Sequence, residues 1–510
     1  MLARVNSATV LGIEPVALQI EVDIARGARA FTIVGLPDAA VRESRERVES
    51  ALRNSGFEFP LERITVNMAP ADIPKRGPSF DLPIALGILV ATGQASIENL
   101  DQVVLAGELS LDGRLRRITG ALPMALGARD WGHRAVVVPP DNGREAAVVD
   151  DLDAYTADTL YDCVCLLEEG LLREPVRVTP EELALETPPY EVDFADVKGQ
   201  EHVKRALEVA AAGGHNLIMV GPPGAGKTML ARRLPSILPP MSLAEALEVT
   251  KLYSVAGLVG RDTALITTRP FRHPHHTVST AGLVGGGSIP QPGEVSLAHH
   301  GVLFLDELPE FSRSALEVMR QPIEDGNVTI ARAQLTLTFP ARFQLVAAMN
   351  PCPCGFYGDT VKPCSCSAGL IARYRAQISG PLLDRIDLHV EVPRLTPDEL
   401  MGKQMGEPSA DIRARVLAAR TRQQERFAGT AIHSNAQMSS RALRQHCMLS
   451  PETEALLRAA IDQFALSARA HDRILKMSRT IADLDASDEI QVPHLAEAVQ
   501  YRSLDRRLWG

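Results

Sequence analysis

The chain has 510 residues, with 53 Lys plus Arg against 63 Asp plus Glu, a formal net charge of −10 and 45% hydrophobic residues. That length accommodates roughly two to four domains of a globular protein, and the acidic balance excludes a surface coated in basic residues while leaving room for a local basic channel. No segment has the apolar length needed to cross a bilayer and no signal-like stretch follows Met1, so a cytoplasmic location is expected.

Residues 1–167 alternate strand-like and helix-like runs and are expected to form an α/β domain. Residues 64–68 and 135–138 have the β-branched content of strands, while 40–54 has helical spacing with charges along one face. Pro74-Lys75-Arg76-Gly77-Pro78-Ser79 resembles the segment around the nucleophilic serine of Lon-type proteases. Those enzymes activate serine with a lysine, because the free hydroxyl is a weak nucleophile. In the stretch 113–124 the position that matches the lysine is Leu122. The resemblance therefore implies a Lon-like fold that is proteolytically inactive and kept for structure or for binding an unidentified protein partner. Residues 168–189 are acidic, carry Pro175, Pro180, Pro188 and Pro189, and are expected to be a linker.

Residues 190–393 are expected to form a parallel sheet flanked by helices. A short apolar strand at 217–220 runs into Gly221-Pro222-Pro223-Gly224-Ala225-Gly226-Lys227-Thr228, followed by a helix. This is a phosphate loop: its glycines bring backbone N–H groups to the phosphates of ATP, Lys227 supplies charge, and the Thr228 hydroxyl faces magnesium. A second apolar strand, 302–305, ends on Asp306, placed to hold the same Mg²⁺, and Glu307, placed to polarise the attacking water. His273, His275 and His276 lack the i, i+4 spacing that puts two imidazoles on one helical face, which favours a structural or nucleotide-coupling role over metal binding.

Cys352, Cys354, Cys364 and Cys366 form two C-x-C pairs in a loop with few apolar residues. Four thiolates at this spacing can close a tetrahedral zinc site; redox-active pairs or free thiols are the alternatives. Cys163 and Cys165 sit in an apolar run and read as core. Residues 394–510 are rich in Ala, Leu, Arg and Glu at helical period, apart from a polar stretch near 429–440, and read as all-helical.

The order of these segments resembles that of AAA+ ATPases. In that resemblance 194–200, with Val197 and Gly199, lines the adenine pocket, and Asn350 is the sensor 1 residue that positions water. Arg385 is the arginine finger that reaches the γ-phosphate held by a neighbouring subunit, and Arg469 is sensor 2 on the helical lid. The segments 272–298 and 328–339 resemble the helix-2 insert and pre-sensor hairpin of the magnesium-chelatase and MCM-helicase branch, which project toward a ring's pore. Pro274-His275-His276, the run 350–354 and the run 475–484 add a resemblance to the bacterial YifB/ComM family that covers nearly the whole chain. That family implies a hexameric, ATP-driven motor on single-stranded or branched DNA, a helicase promoting branch migration in recombination and natural transformation. Lys251, Arg261 and Arg332 are candidates for the basic pore. The alternatives are a magnesium-chelatase motor subunit, whose resemblance is confined to the ATPase block; a nucleotide-binding scaffold; and an ATP-dependent Lon-type protease.

Overall fold

The structure, a computed structural model, describes residues 2–183, 190–287, 290–332, 335–359, 361–401, 405–464 and 466–502. Pro188 and Pro189 of the linker, Ser288 and Ala333 lie outside the described residues. The chain divides into two compact units, Met1–Leu185 with Ser242–Thr267, and Glu186–Met241 with Thr268–Gly510.

The first unit is built on a mixed seven-stranded sheet. Its spatial order is Ala30–Val34, Arg63–Ala69, Glu14–Ala25, Leu2–Leu11, Val103–Leu105, Ala135–Val138 and Asp153–Thr156. Leu2–Leu11 and Glu14–Ala25 form an antiparallel hairpin, and the last three strands run parallel beyond it. The helix Asp81–Thr92 is apolar on nearly every side because it is buried on nearly every side; Leu82, Ile84, Leu86 and Ile88 have no exposed surface. Its first residue, Asp81, is buried as well. Arg47 Nε and Nη2 donate to the Asp81 carboxylate at 2.6 and 3.0 Å, and the Leu109 amide adds a third bond at 3.3 Å. The expected helix over 40–54 is interrupted at Glu43, giving Ala39–Arg42 and Ser44–Asn54, and the second piece carries Arg47 to this pair.

Ser242–Thr267 lies inside the stretch read from sequence as ATPase block, yet it folds with the first unit. Its helix, Leu243–Val255, starts on a capping box between Ser242 and Glu245 and buries Ala246, Val249 and Leu252. The Gly120 amide donates to Ser254 O at 3.0 Å, and Arg117 donates to Val259 O. Lys251 and Arg261 therefore belong to this unit, with Arg261 Nε 3.3 Å from Asp141, and are not loops of the second.

The second unit holds a five-stranded parallel sheet in the order Phe271–Arg272, Val302–Leu305, Gln344–Met349, Leu217–Val220, Leu388–Glu391. The three central strands are buried throughout, as their continuous apolar runs require. Asn327–Arg332 and Leu335–Pro340 pair as an antiparallel hairpin with Val328 opposite Phe339. The C-terminal part is helical, its longest elements Ser409–Arg426, Pro451–Phe464 and Ala468–Leu484. Among the described residues no helix is long and apolar enough to cross a membrane.

Removing one partner of a buried ion pair leaves the other charge without compensation. Arg47→Met is expected to cost about 3 kcal/mol in urea-induced unfolding of the first unit. Burial already raises the Asp81 carboxyl above its ordinary range, so a carboxyl freed of Arg47 favours folding when protonated. The variant should regain stability as pH falls through the carboxylate range; a loss independent of pH would contradict this account.

Candidate nucleotide site

Parallel pairing brings three strand ends to one edge of the second sheet. Leu217–Val220 ends on the phosphate loop, Val302–Leu305 on Asp306 and Glu307, and Gln344–Met349 on Asn350. The loop enters tightly: the Gly221 amide donates to Met349 O at 3.2 Å, and a Cβ at Gly221 would collide with the Val392 carbonyl. Only glycine fits that approach. The helix Lys227–Ile237 then points its N-terminus at the loop, a favourable place for an anion.

Lys227 is nearly buried. Its Nζ donates to Gly221 O at 2.7 Å, to Pro222 O at 3.0 Å and to Asn350 Oδ1 at 3.1 Å. Desolvation lowers its pKa, against the opposing pull of Asp306 and Glu307. The Thr228 hydroxyl donates to Asp306 Oδ2 at 2.6 Å. Hydroxyl and carboxylate converge there as a pair of oxygen ligands suited to a hard cation such as Mg²⁺. Glu307 has a left-handed backbone with φ 53°. His276 Nδ1 stands 3.2 Å from its carboxylate, and His273 lies against the Phe304 ring. The histidine run is thus packed onto the acidic strand end. Arg272, just before it, holds Glu294 through two bonds of 2.7 Å.

On the other flank, Val197 is buried and Gly199 has a positive φ. The residue that ties this segment to the phosphate loop is Gln200, whose Nε2 donates to Ala225 O at 2.9 Å and Pro393 O at 3.0 Å. Neither this bond nor the Glu307 contact of His276 has a local signal in the sequence, because each partner is distant in the chain.

The structure therefore gathers Lys227, Thr228, Asp306, Glu307 and Asn350, but it places Arg385 and Arg469 in a second group. Arg385 is buried, donates to Pro381 O at 2.5 Å and ion-pairs with Glu324. That guanidinium holds the Glu324 carboxyl below its ordinary range, with Arg469 and Arg473 adding to the effect. Arg469 is exposed and lies 3.8 Å from Asp384. Arg473 ion-pairs with the fully buried Asp387, which also meets His215 at 3.3 Å. Arg332, on the hairpin, donates to Gly287 O at 3.1 Å.

The four cysteine sulfurs of the loop after Asn350 lie within 4.8 Å of one another. Amides of Phe356 and Ser365 hold the Cys354 thiol down to about 5. The set fits a soft divalent cation such as zinc. In the first unit Ser79 is nearly buried, Leu122 is fully buried, and Lys75 spends its ammonium on Pro70 O. Cys163 is buried as expected, its thiol pushed up by desolvation; Cys165 is only partly covered.

Family models described as "Subunit ChlI of Mg-chelatase", "Magnesium chelatase, subunit ChlI" and "Magnesium chelatase, subunit ChlI C-terminal" match residues 20–142, 193–400 and 406–502. The first extends the chelatase likeness into the first unit, beyond the ATPase block to which the sequence reading confined it. The chain is 46% identical to competence protein ComM of Haemophilus influenzae, covering 99% of this chain and 98% of that protein. It is 45% identical to YifB of Escherichia coli, with the same coverage of 99% and 98%. A shorter match, 31% identical over 160 residues, covers 30% of this chain and 19% of the Lon protease of Chloroflexus aurantiacus. Identity at this level from end to end, on a parallel sheet that carries the phosphate loop and its acidic partner, makes the chain a member of the YifB/ComM family of magnesium-chelatase-type AAA+ ATPases.

Proposed function

We propose that the chain is the subunit of an ATP-driven ring that acts as a DNA motor: an intersubunit ATPase whose cycle moves single-stranded or branched DNA and promotes branch migration. The observation that carries the ATPase is the convergence of Lys227, Thr228, Asp306, Glu307 and Asn350 at one sheet edge. Bound ATP would take Lys227 away from the Gly221 and Pro222 carbonyls; Thr228 and Asp306 would hold Mg²⁺, which would supply charge neutralisation at the phosphates. Glu307 accepts the proton of the attacking water, and Asn350 orients it. Arg385, absent from this group, is assigned to the site of an adjacent subunit, which makes a ring of hexamer type the active form, and Arg469 is read as sensor 2 on the helical lid. The Arg385 pairing with Glu324 is then the resting state of the finger.

Action on DNA rests on the family and on the name of the Haemophilus relative, a competence protein. The insert 272–298 and the hairpin 327–340 are read as the helix-2 insert and pre-sensor hairpin, joined through Arg332 and Gly287. Residues 1–167 are read as a Lon-like domain without protease activity, 168–189 as linker, 190–393 as the ATPase core apart from the segment folded into the first unit, and 394–510 as lid. Burial of Leu122 where Lon-type enzymes place lysine supports an inert Ser79.

Lys227→Ala should abolish nucleotide binding. Glu307→Gln should retain it and lower turnover by roughly 10²–10⁴. Arg385→Ala should cost about a thousandfold. Mixing the inactive Lys227→Ala and Arg385→Ala proteins should restore turnover, since mixed rings contain some interfaces with both residues intact; no restoration would refute the shared site. ATP-dependent unwinding of a fluorescent forked DNA, wild type against Glu307→Gln, tests the motor. If DNA neither binds nor alters turnover at any salt concentration, the DNA reading fails. Ser79→Ala should leave ATP turnover and unwinding unchanged.

A further inference from the structure

The described residues of the loop between Asn350 and the helix Ala368–Arg375 form no regular secondary structure. Among its described residues from 353 to 366 only Gly355 is buried, and Val361 and Tyr357 are 75% and 48% exposed. Such a loop needs a cross-link or a metal to keep one shape. The four cysteines are free thiols. Sulfur–sulfur separations are 3.4 Å for Cys352 and Cys354, 3.7 Å for Cys352 and Cys364, and 3.5 Å for Cys354 and Cys364. A tetrahedron with zinc–sulfur bonds of about 2.3 Å has edges of about 3.8 Å, whereas a disulfide bond is about 2.0 Å long. The backbone is arranged for thiolates: the Cys354 amide points at Cys366 Sγ and the Cys366 amide at Cys364 Sγ, both at 3.4 Å.

What surrounds this knot is the nucleotide site. Cys352 is two residues from Asn350, the partner of Lys227. Gly355 abuts the phosphate loop, so that a Cβ there would lie 2.5 Å from Pro223 Cδ and 3.8 Å from Asn350 Cγ. Arg375, at the end of the following helix, donates to Pro351 O from Nε and Nη2, each at 3.2 Å.

We propose that Cys352, Cys354, Cys364 and Cys366 bind one zinc ion, and that the zinc knot is a positioning element that sets the phosphate loop and Asn350 for ATP turnover. The second half rests on the ATPase reading; the first half does not. Zinc stays outside the reaction and acts through Gly355 on Pro223 and through Pro351 on Asn350.

Metal analysis of the full chain, purified under reducing conditions without added zinc, should find about one zinc per chain; less than about half an equivalent overturns the site. Cys364→Ser with Cys366→Ser should lose it. Chelation, for which the cleft lined by Tyr357, Cys364, Cys366 and Arg375 gives access, should lower turnover roughly tenfold or more, and zinc should restore it. Gly355→Ala separates the two halves: it should keep its zinc while weakening both turnover and binding of a fluorescent ATP analogue. Unchanged nucleotide affinity and turnover in stripped protein and in Gly355→Ala would overturn the positioning role. A zinc-loaded wild type without any turnover would instead be a failure of the ATPase reading, and zinc content and nucleotide affinity would still decide this proposal.

Discussion

Parallel pairing in the second sheet is the constraint on which the nucleotide site depends. Val302–Leu305 and Leu217–Val220 are not neighbours; Gln344–Met349 lies between them and hydrogen-bonds to both. All three must run the same way and end level for Thr228 to meet Asp306 and for Lys227 to meet Asn350. A register slip by one residue would turn every side chain of a strand to the other face and dissolve the site. The near-complete burial of these strands is what makes such a slip costly.

The edge of that sheet also explains why two kinds of polar contact coexist there. Bonds from Lys227 to loop carbonyls are replaceable by phosphate oxygens, which offer a charged acceptor in place of a neutral one. Bonds that shape the cradle, from Gln200 to Ala225 O and from Arg375 to Pro351 O, use no group a nucleotide would need. The frame can therefore persist while the contents change. His276 belongs between the two classes, since its partner Glu307 directly follows Asp306 at the strand end.

Much of this was legible in sequence where the signal is local. The strand ends at Val220 and Leu305 and the hairpin over 328–339 follow from contiguous apolar runs and alternation, while the pairing of Val328 with Phe339 comes from the structure. What was not legible depends on partners far along the chain. Nothing near Arg385 announces Glu324, and nothing near Gln200 announces Ala225. The helix Leu243–Val255 carries a clear local start in Ser242 and Glu245, but its apolar face would suit either unit, so its membership could not be read. For the cysteines, spacing limited the possibilities and only the convergence of the sulfurs narrowed them.

That borrowed helix has a consequence for the order of events during synthesis. The first unit contains residues 1–185 together with 242–267, and the strand and helix of the phosphate loop are encoded in between. As the chain leaves the ribosome, the first unit lacks the cover for part of its surface until residue 267 has emerged. By then the phosphate loop is already outside as well, still without Val302–Leu305 and Gln344–Met349 to pair with. The N-terminal unit is thus no independent bead completed ahead of the second unit; it is completed by a piece of chain encoded within the second unit's sequence.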